Sequence, residues 1–259
     1  MFIKTIAITA AVAAVAIGAQ TTGLVNLRTI PGEIEQLVTV QQRHIIVGVD
    51  ITAGRENEVP KDFRAVQRLL ENAEPGDKIE IYLIDSRSES SQEAIFSVQM
   101  PEDEGPMGMA LKKAKKGAQQ SLSECWDKSI NKVLGDNHLV QQTDLFGFFR
   151  FVSQKEEFRK SGSPVLILFT DGQQVGDGFN FEKNIPDKND LMRAKEDDFI
   201  ADLRNINVSL AGVTPTHAIT NSHWRRLQAW WRGYLKEAGV DNISITSERC
   251  IEENSHKSL

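Results

Sequence analysis

The residues best suited to chemistry lie in three short polar segments beside apolar runs. The first segment is Asp-Ile-Thr-Ala-Gly at residues 50–54, directly after an apolar run at 45–49. The others are Thr-Asp-Leu at 143–145 and Thr-Asp-Gly at 170–172, the latter following an apolar run at 165–169. Carboxylate and hydroxyl oxygens are hard donors, and a few charges with several neutral oxygens suit Mg²⁺ or Mn²⁺. A metal held in this way binds the carboxylate of a partner well.

The two apolar runs predict the elements that position these segments. Uninterrupted aliphatic runs, largely β-branched in the first case, are typical of central parallel strands covered on both faces. Strands and amphipathic helices alternate along the rest of the chain, which predicts an α/β fold: a doubly wound, mostly parallel sheet flanked by helices. With right-handed crossovers, all three segments fall at one sheet edge, where ligands of such folds bind.

Composition excludes several classes of protein. The chain has 259 residues, a net charge of −6 and a pI near 5.5, which argues against a nucleic-acid partner. The five histidines are scattered, and none accompanies a serine in an elbow motif. Cys125 and Cys250 are the only cysteines, so a disulfide framework is excluded, although one bridge or two unpaired thiols remain open.

The first 20 residues differ from the rest in composition. A single Lys4 precedes an alanine- and valine-rich run that ends in small residues, the pattern of a secretory signal or an N-terminal membrane anchor. Both alternatives predict an extracytoplasmic location, periplasmic or secreted, and the second adds a membrane tether. The third alternative is an apolar arm of a cytosolic domain.

The expected organisation has further parts. Residues 21–43 are interpreted as a linker, residues 44–250 as the folded domain and residues 251–259 as a polar tail. Within the domain we expect a helical insertion at about 101–140, single helices from Leu145 to about Lys160 and from Leu191 to Asn205, and a long polar loop at 172–190.

The three segments resemble the metal-ion-dependent adhesion site of the von Willebrand factor A (VWA) domain family. That site uses Asp-x-Ser-x-Ser, a distant Thr, and a distant Asp often within Thr-Asp-Gly. The matching positions here are Asp50, Thr52, Thr143 and Asp171, and the resemblance covers about residues 44–239. It implies a Rossmann-like fold and a Mg²⁺ or Mn²⁺ site formed by these four residues. The site is a variant one, because Gly54 stands where the family has its second Ser and offers no hydroxyl.

The resemblance implies a non-enzymatic adhesion or assembly module, whose metal engages an acidic side chain of a partner protein. One alternative is a phosphohydrolase-like enzyme with Asp50 as nucleophile, although Thr52 stands where such enzymes carry a second acid. Another is a structural assembly domain with a degenerate site. In that case Thr143 is simply a helix cap and Asp171 a turn residue.

Overall fold

The two apolar runs form neighbouring strands at the centre of a six-stranded sheet in the computed structural model. The structure describes residues 42–52, 54–86, 88, 93–135, 142–213 and 221–249, and these described residues form one compact unit. The strands are β1 (Arg43–Asp50), β2 (Lys78–Ile84), β3 (Phe96–Gln99), β4 (Ser163–Phe169), β5 (Val175–Gly176), β6 (Phe179–Asn180), β7 (Asn207–Ala211) and β8 (Ile243–Thr246). The large sheet has the order β3-β2-β1-β4-β7-β8, and β5 pairs with β6 in a small separate hairpin.

Every pairing in the large sheet is parallel except that of the edge strand β3 with β2. From β1 the chain continues to β2 on one side, whereas from β4 it continues to β7 on the other side. The carboxyl ends of β1 and β4 therefore flank the topological switch point, where doubly wound folds bind ligands. The predicted fold class, α/β with a mostly parallel, doubly wound sheet, is confirmed.

Helices cover both faces of the sheet. They are α1 (Val59–Glu71), α2 (Met109–Gly135), α3 (Leu145–Ser153), α4 (Glu156–Arg159), α5 (Lys188–Glu196) and α6 (Asn221–Glu237). Buried side chains of α1 and α2 pack on one face, in a core with Ile45, Val47 and Val49. The other face packs against the remaining helices through an aromatic core that includes Phe149, Trp231 and other large rings. Alternate residues of β1 thus enter different cores, as the strand period of two requires.

Gly48 allows α3 to lie close to the middle of β1. A Cβ atom at this position would lie 2.6 Å from a ring carbon of Phe148 and 2.8 Å from the Cδ1 atom of Ile84. Both side chains are fully buried. A larger residue at position 48 would therefore displace the helix whose first turn adjoins the candidate site.

Two of the expected helices are shorter than the sequence pattern predicts. The helix expected from Leu145 to Lys160 stops at Ser153, because Lys155 adopts an extended conformation before the short α4 begins. The Lys155 ammonium donates a hydrogen bond to the Tyr82 hydroxyl at 2.7 Å, so this break brings a charge to the sheet. The helix expected to reach Asn205 ends at Glu196, where Asp198 takes a left-handed conformation with φ of 59°.

Several sequence-based predictions lie outside the described residues. These concern the signal or anchor at residues 1–20, most of the linker, Cys250 and the polar tail at 251–259. Cys125 is a free, partly buried thiol. Among the described helices, none combines the length and apolar character needed to cross a membrane.

Candidate metal centre

Asp50 lies fully buried at the end of β1 and is held by three donors. Its Oδ1 atom accepts hydrogen bonds from the backbone N–H of Thr52 at 3.1 Å and from the Thr52 hydroxyl at 2.7 Å. Its Oδ2 atom accepts one from the Thr170 hydroxyl at 2.8 Å. Both carboxylate oxygens are thus fixed by loops that leave adjacent parallel strands.

Thr143 joins this arrangement from the loop that precedes α3. Its hydroxyl donates to the Thr52 hydroxyl oxygen at 2.9 Å, and the Thr52 hydroxyl donates in turn to Asp50. Thr52 and Thr143 are both buried. A hydroxyl has one proton and two lone pairs, so donation toward Asp50 leaves oxygen lone pairs for another ligand. Neutral oxygen donors are therefore placed beside a carboxylate.

Asp171 follows β4 on the same sheet edge. Its Oδ1 atom accepts a hydrogen bond from the backbone N–H of Gln173 at 2.9 Å. Loss of hydration on burial, followed by the negative charge of Asp50, raises the pKa of Asp171 to about 6. The mutual repulsion of these two carboxylates is the electrostatic condition that a bound cation relieves.

The loop that carries Asp171 is fixed by its neighbours. The Thr170 hydroxyl accepts a hydrogen bond from the backbone N–H of Gly172 at 3.0 Å, and the Gly172 carbonyl accepts one from the Trp231 indole at 2.7 Å. Gly172 has φ of 80°, a left-handed conformation that favours glycine. The Thr-Asp-Gly sequence is thus required locally by a tight turn packed on α6.

Gln174 connects the second and third segments and was not singled out from the sequence. Its side-chain Oε1 atom accepts hydrogen bonds from the backbone N–H groups of Leu145 and Phe146, at 2.8 and 3.3 Å. Asp144 caps the same helix by accepting from the N–H of Gly147 at 2.7 Å. Asp144, rather than Thr143, is therefore the side-chain cap of α3, and the Thr143 hydroxyl is directed to Thr52 instead.

Gly54 is exposed, and its backbone is left-handed with φ of 89°. A Cβ atom here would meet nothing within 4 Å, so glycine is favoured at this position by the backbone conformation and not by a lack of space. Its N–H donates to Glu56 Oε1 at 3.2 Å. The missing hydroxyl is therefore accompanied by a loop conformation that a serine would adopt only with strain.

Arg55 is the main residue of this region that the sequence analysis did not assign. Its buried guanidinium donates to the Asp50 carbonyl at 3.0 Å and to the Phe169 carbonyl at 3.3 Å. Burial alone would lower the pKa of Arg55, but the negative charges of Asp50, Asp171 and Asp62 raise it above its ordinary value. A permanent cation therefore lies beside the two carboxylates. Its only sequence signal was its position directly after the first polar segment, which ends at Gly54.

Arg55 belongs to a buried ion network. It forms an ion pair with Asp62 of α1, and Asp62 forms a second ion pair with Arg249. Arg249 also contacts Glu58 at 2.6 Å. Burial raises the pKa of Asp62, although both arginines oppose that effect. The network connects the loop after β1 with the first turn of α1 and the segment after β8.

The candidate metal ligands at this sheet edge are all oxygen atoms. Among the residues that the structure describes, no group of three or more His, Cys, Asp or Glu side chains could hold a metal ion. Any ion here would depend on two carboxylates and on neutral hydroxyls. This chemistry suits Mg²⁺ or Mn²⁺ and not Zn²⁺, which prefers nitrogen and sulfur ligands.

The structure thus joins Asp50, Thr52 and Thr143 by direct hydrogen bonds, and it places Asp171 near enough to Asp50 for the two carboxylates to repel each other. The chain is similar to a solved structure described as von Willebrand factor type A from Catenulispora acidiphila. The two share 9% sequence identity with a TM-score of 0.42, over 77% of this chain and 42% of that chain. The chain thus spans less than half the length of that protein. No protein-family model and no curated protein matches the sequence.

Proposed function

We propose that this chain is a non-enzymatic protein-binding module of the adhesion or assembly type. In this proposal Asp50, Thr52, Thr143 and Asp171 hold Mg²⁺ or Mn²⁺, and the ion engages an acidic side chain of a partner protein. The observation that carries the proposal is the chain of hydroxyls from Thr143 through Thr52 to Asp50. Two distant segments have no local reason to meet in this way, since α3 is capped by Asp144 and Gln174.

The bound ion would supply a positive charge with open coordination positions for a carboxylate. The residues of the chain would position the ligands. Asp50 orients the Thr52 hydroxyl, and Thr170 donates a hydrogen bond to the second oxygen of Asp50. The left-handed backbone of Gly172 sets the conformation of the loop that carries Asp171. The ion pair of Arg55 with Asp62 and its hydrogen bond to the Asp50 carbonyl stabilise the loop after β1. Since Arg55 already offsets part of the negative charge, we expect weak metal affinity in the absence of a partner.

The test is isothermal titration calorimetry of Mg²⁺ and Mn²⁺ into the full chain. We expect a binding heat that is lost in Asp171→Asn and kept in Glu196→Gln, a control that changes an exposed acid at the end of α5. No metal-dependent heat in the unaltered protein would reject the proposal. Heat that survives Asp171→Asn would place the ion elsewhere.

A structural assembly role with a degenerate site is the second candidate, because Gly54 lacks the hydroxyl and Arg55 places a cation beside Asp50. Partner binding that survives EDTA would favour it.

The phosphohydrolase alternative gains less support. Asp50 is fully buried and both of its oxygens accept hydrogen bonds, which suits a positioning group better than a nucleophile. Hydrolysis of a generic phosphate ester that is abolished in Asp50→Asn would reverse this ranking.

We also propose that the module acts outside the cytoplasm, as a periplasmic or secreted protein that its N-terminal segment either exports or tethers to a membrane. This placement rests on the composition of residues 1–20 alone. The net charge of −6 favours a protein rather than a nucleic acid as partner. Fractionation of the native host with an antibody to the folded domain would test the location.

A further inference from the structure

A cavity of about 260 Å³ opens beside the candidate metal centre and is not used by it. It lies between the loop after β1, the first turns of α1 and the second half of α2. Its wall is mostly apolar and includes Val59, Phe63, Trp126 and Ile130. Thr52 also lines it, so the cavity and the hydroxyl chain share one residue.

The size of the cavity limits what it can hold. Pockets for whole drug-sized ligands span roughly 300–1,000 Å³, so this one falls just below that range. An apolar cavity of about 150 Å³ is enough to admit benzene. The volume therefore suits one large aliphatic or aromatic side chain.

The aromatic wall is formed by two helices that meet at this point. The rings of Phe63 on α1 and Trp126 on α2 lie 4.9 Å apart between centroids, tilted by 41°. Trp126 is 5% exposed and Phe63 is partly buried. Ile130 follows Trp126 by one helical turn, so both face the same side of α2. The wall is thus a continuous apolar surface to which both helices contribute.

The mouth of the cavity carries negative charge. Glu56 and Asp127 both line it, and both are exposed. Within the part of the chain that the structure describes, neither carboxylate takes part in an ion pair. An apolar cavity with two acids at its mouth is complementary to an apolar side chain followed by a basic one.

We propose that this cavity is the specificity pocket for the partner of the metal centre. The partner presents an acidic residue to the metal, inserts the adjacent large apolar side chain into the cavity against the packed rings of Phe63 and Trp126, and places a basic residue against Glu56 and Asp127. This inference rests on the proposed function and names the chemistry of its partner. Because Thr52 belongs to both sites, the acidic and apolar residues of the partner are expected to be neighbours.

The test uses the full chain with Mg²⁺ and a blocked Gly-Asp-Leu-Lys-Gly peptide, observed by heteronuclear NMR. We expect the peptide to shift the Thr52 amide and the Trp126 indole signals together. Replacing its leucine by alanine should weaken binding roughly tenfold or more, because the apolar contact is lost. Asn131→Trp, at the cavity mouth, should abolish the Trp126 shift, whereas Lys128→Trp on the same helix should keep it.

The outcomes separate the two proposals. Three outcomes would overturn the pocket: equal binding of the leucine and alanine peptides, an unchanged Trp126 shift in Asn131→Trp, or no Trp126 shift with any peptide. In each case, Mg²⁺-dependent shifts of the Thr52 amide would still support the metal function. A Trp126 shift that persists with EDTA and with asparagine in place of the peptide's aspartate would keep the pocket and reject the metal function. The amide spectrum of Asn131→Trp establishes that this variant is folded.

Discussion

The hydroxyl of Thr143 donates a hydrogen bond to the hydroxyl of Thr52, 2.9 Å away, although 91 residues separate them in the chain. The Thr52 hydroxyl in turn donates a hydrogen bond to Asp50 Oδ1 at 2.7 Å. All three side chains are buried at the carboxyl edge of the sheet. This contact joins two of the three polar segments.

Replacing Thr52 by valine removes the hydroxyl while keeping the branched shape of the side chain. We expect at least a tenfold loss of Mg²⁺ affinity, because one oxygen donor is lost and Thr143 loses its acceptor. Unfolding should become easier by about 1–3 kcal/mol, since a buried hydrogen-bonding group is left without its partner. Calorimetry and urea unfolding measure the two effects. Thr52→Ser should keep metal binding, and equal Mg²⁺ heats for the valine variant would contradict the assigned role.

Replacing Arg55 by methionine tests the buried ion network. Removal of one member of a buried ion pair leaves an uncompensated charge and typically costs about 3–5 kcal/mol. Asp62 keeps Arg249, so we expect the lower part of that range in urea unfolding. The control is Arg64→Met, an exposed change on α1, the helix that carries Asp62, which should stay within about 0.5 kcal/mol. Similar unfolding midpoints for the two variants would show that the network contributes little.

The raised pKa of Asp171 predicts a pH dependence of stability. Its pKa is about 6 in the folded chain, above its ordinary value of 3.8, so the folded state binds more protons than the unfolded state between these values. The contribution of this group therefore favours folding at low pH and is lost as pH rises from about 4 to 6. In metal-free buffer, Asp171→Asn should flatten this part of the stability profile. A profile that keeps its shape in the variant would assign the dependence to another group.

Gly48→Ala tests how closely α3 lies against β1. The added methyl group would lie 2.6 Å from a Phe148 ring carbon, and overpacking of this kind costs about 1–3 kcal/mol. The matched control is Gly117→Ala in α2, where an added Cβ meets nothing within 4 Å. That change should stabilise the chain by about 0.5–1 kcal/mol, because alanine favours a helix. Thermal or urea unfolding of both variants should give shifts of opposite sign, and a tolerated alanine at position 48 would contradict the close packing.

Much of the fold was predictable because its determinants are local in sequence. The aliphatic runs at 45–49 and 165–169 predicted the buried parallel strands that the structure shows as neighbours. Helix ends were less predictable. Apolar spacing continues past Ser153 and Glu196, but the extended Lys155 and the left-handed Asp198 stop the helices there. The first break accompanies a tertiary contact that periodicity does not encode, the hydrogen bond from Lys155 to the Tyr82 hydroxyl.

The sequence by itself determined the order of the six strands of the large sheet and of the long helices between them, the residue types at the carboxyl edge, and the absence of a hydroxyl at Gly54. Only the tertiary structure decided that Thr143 meets Thr52, that Arg55 is buried beside Asp50, and that a cavity opens next to Thr52. The physical reason is that burial and periodicity are properties of short segments. Contacts between loops depend instead on how several strands and helices, distant in the chain, set the positions of their ends.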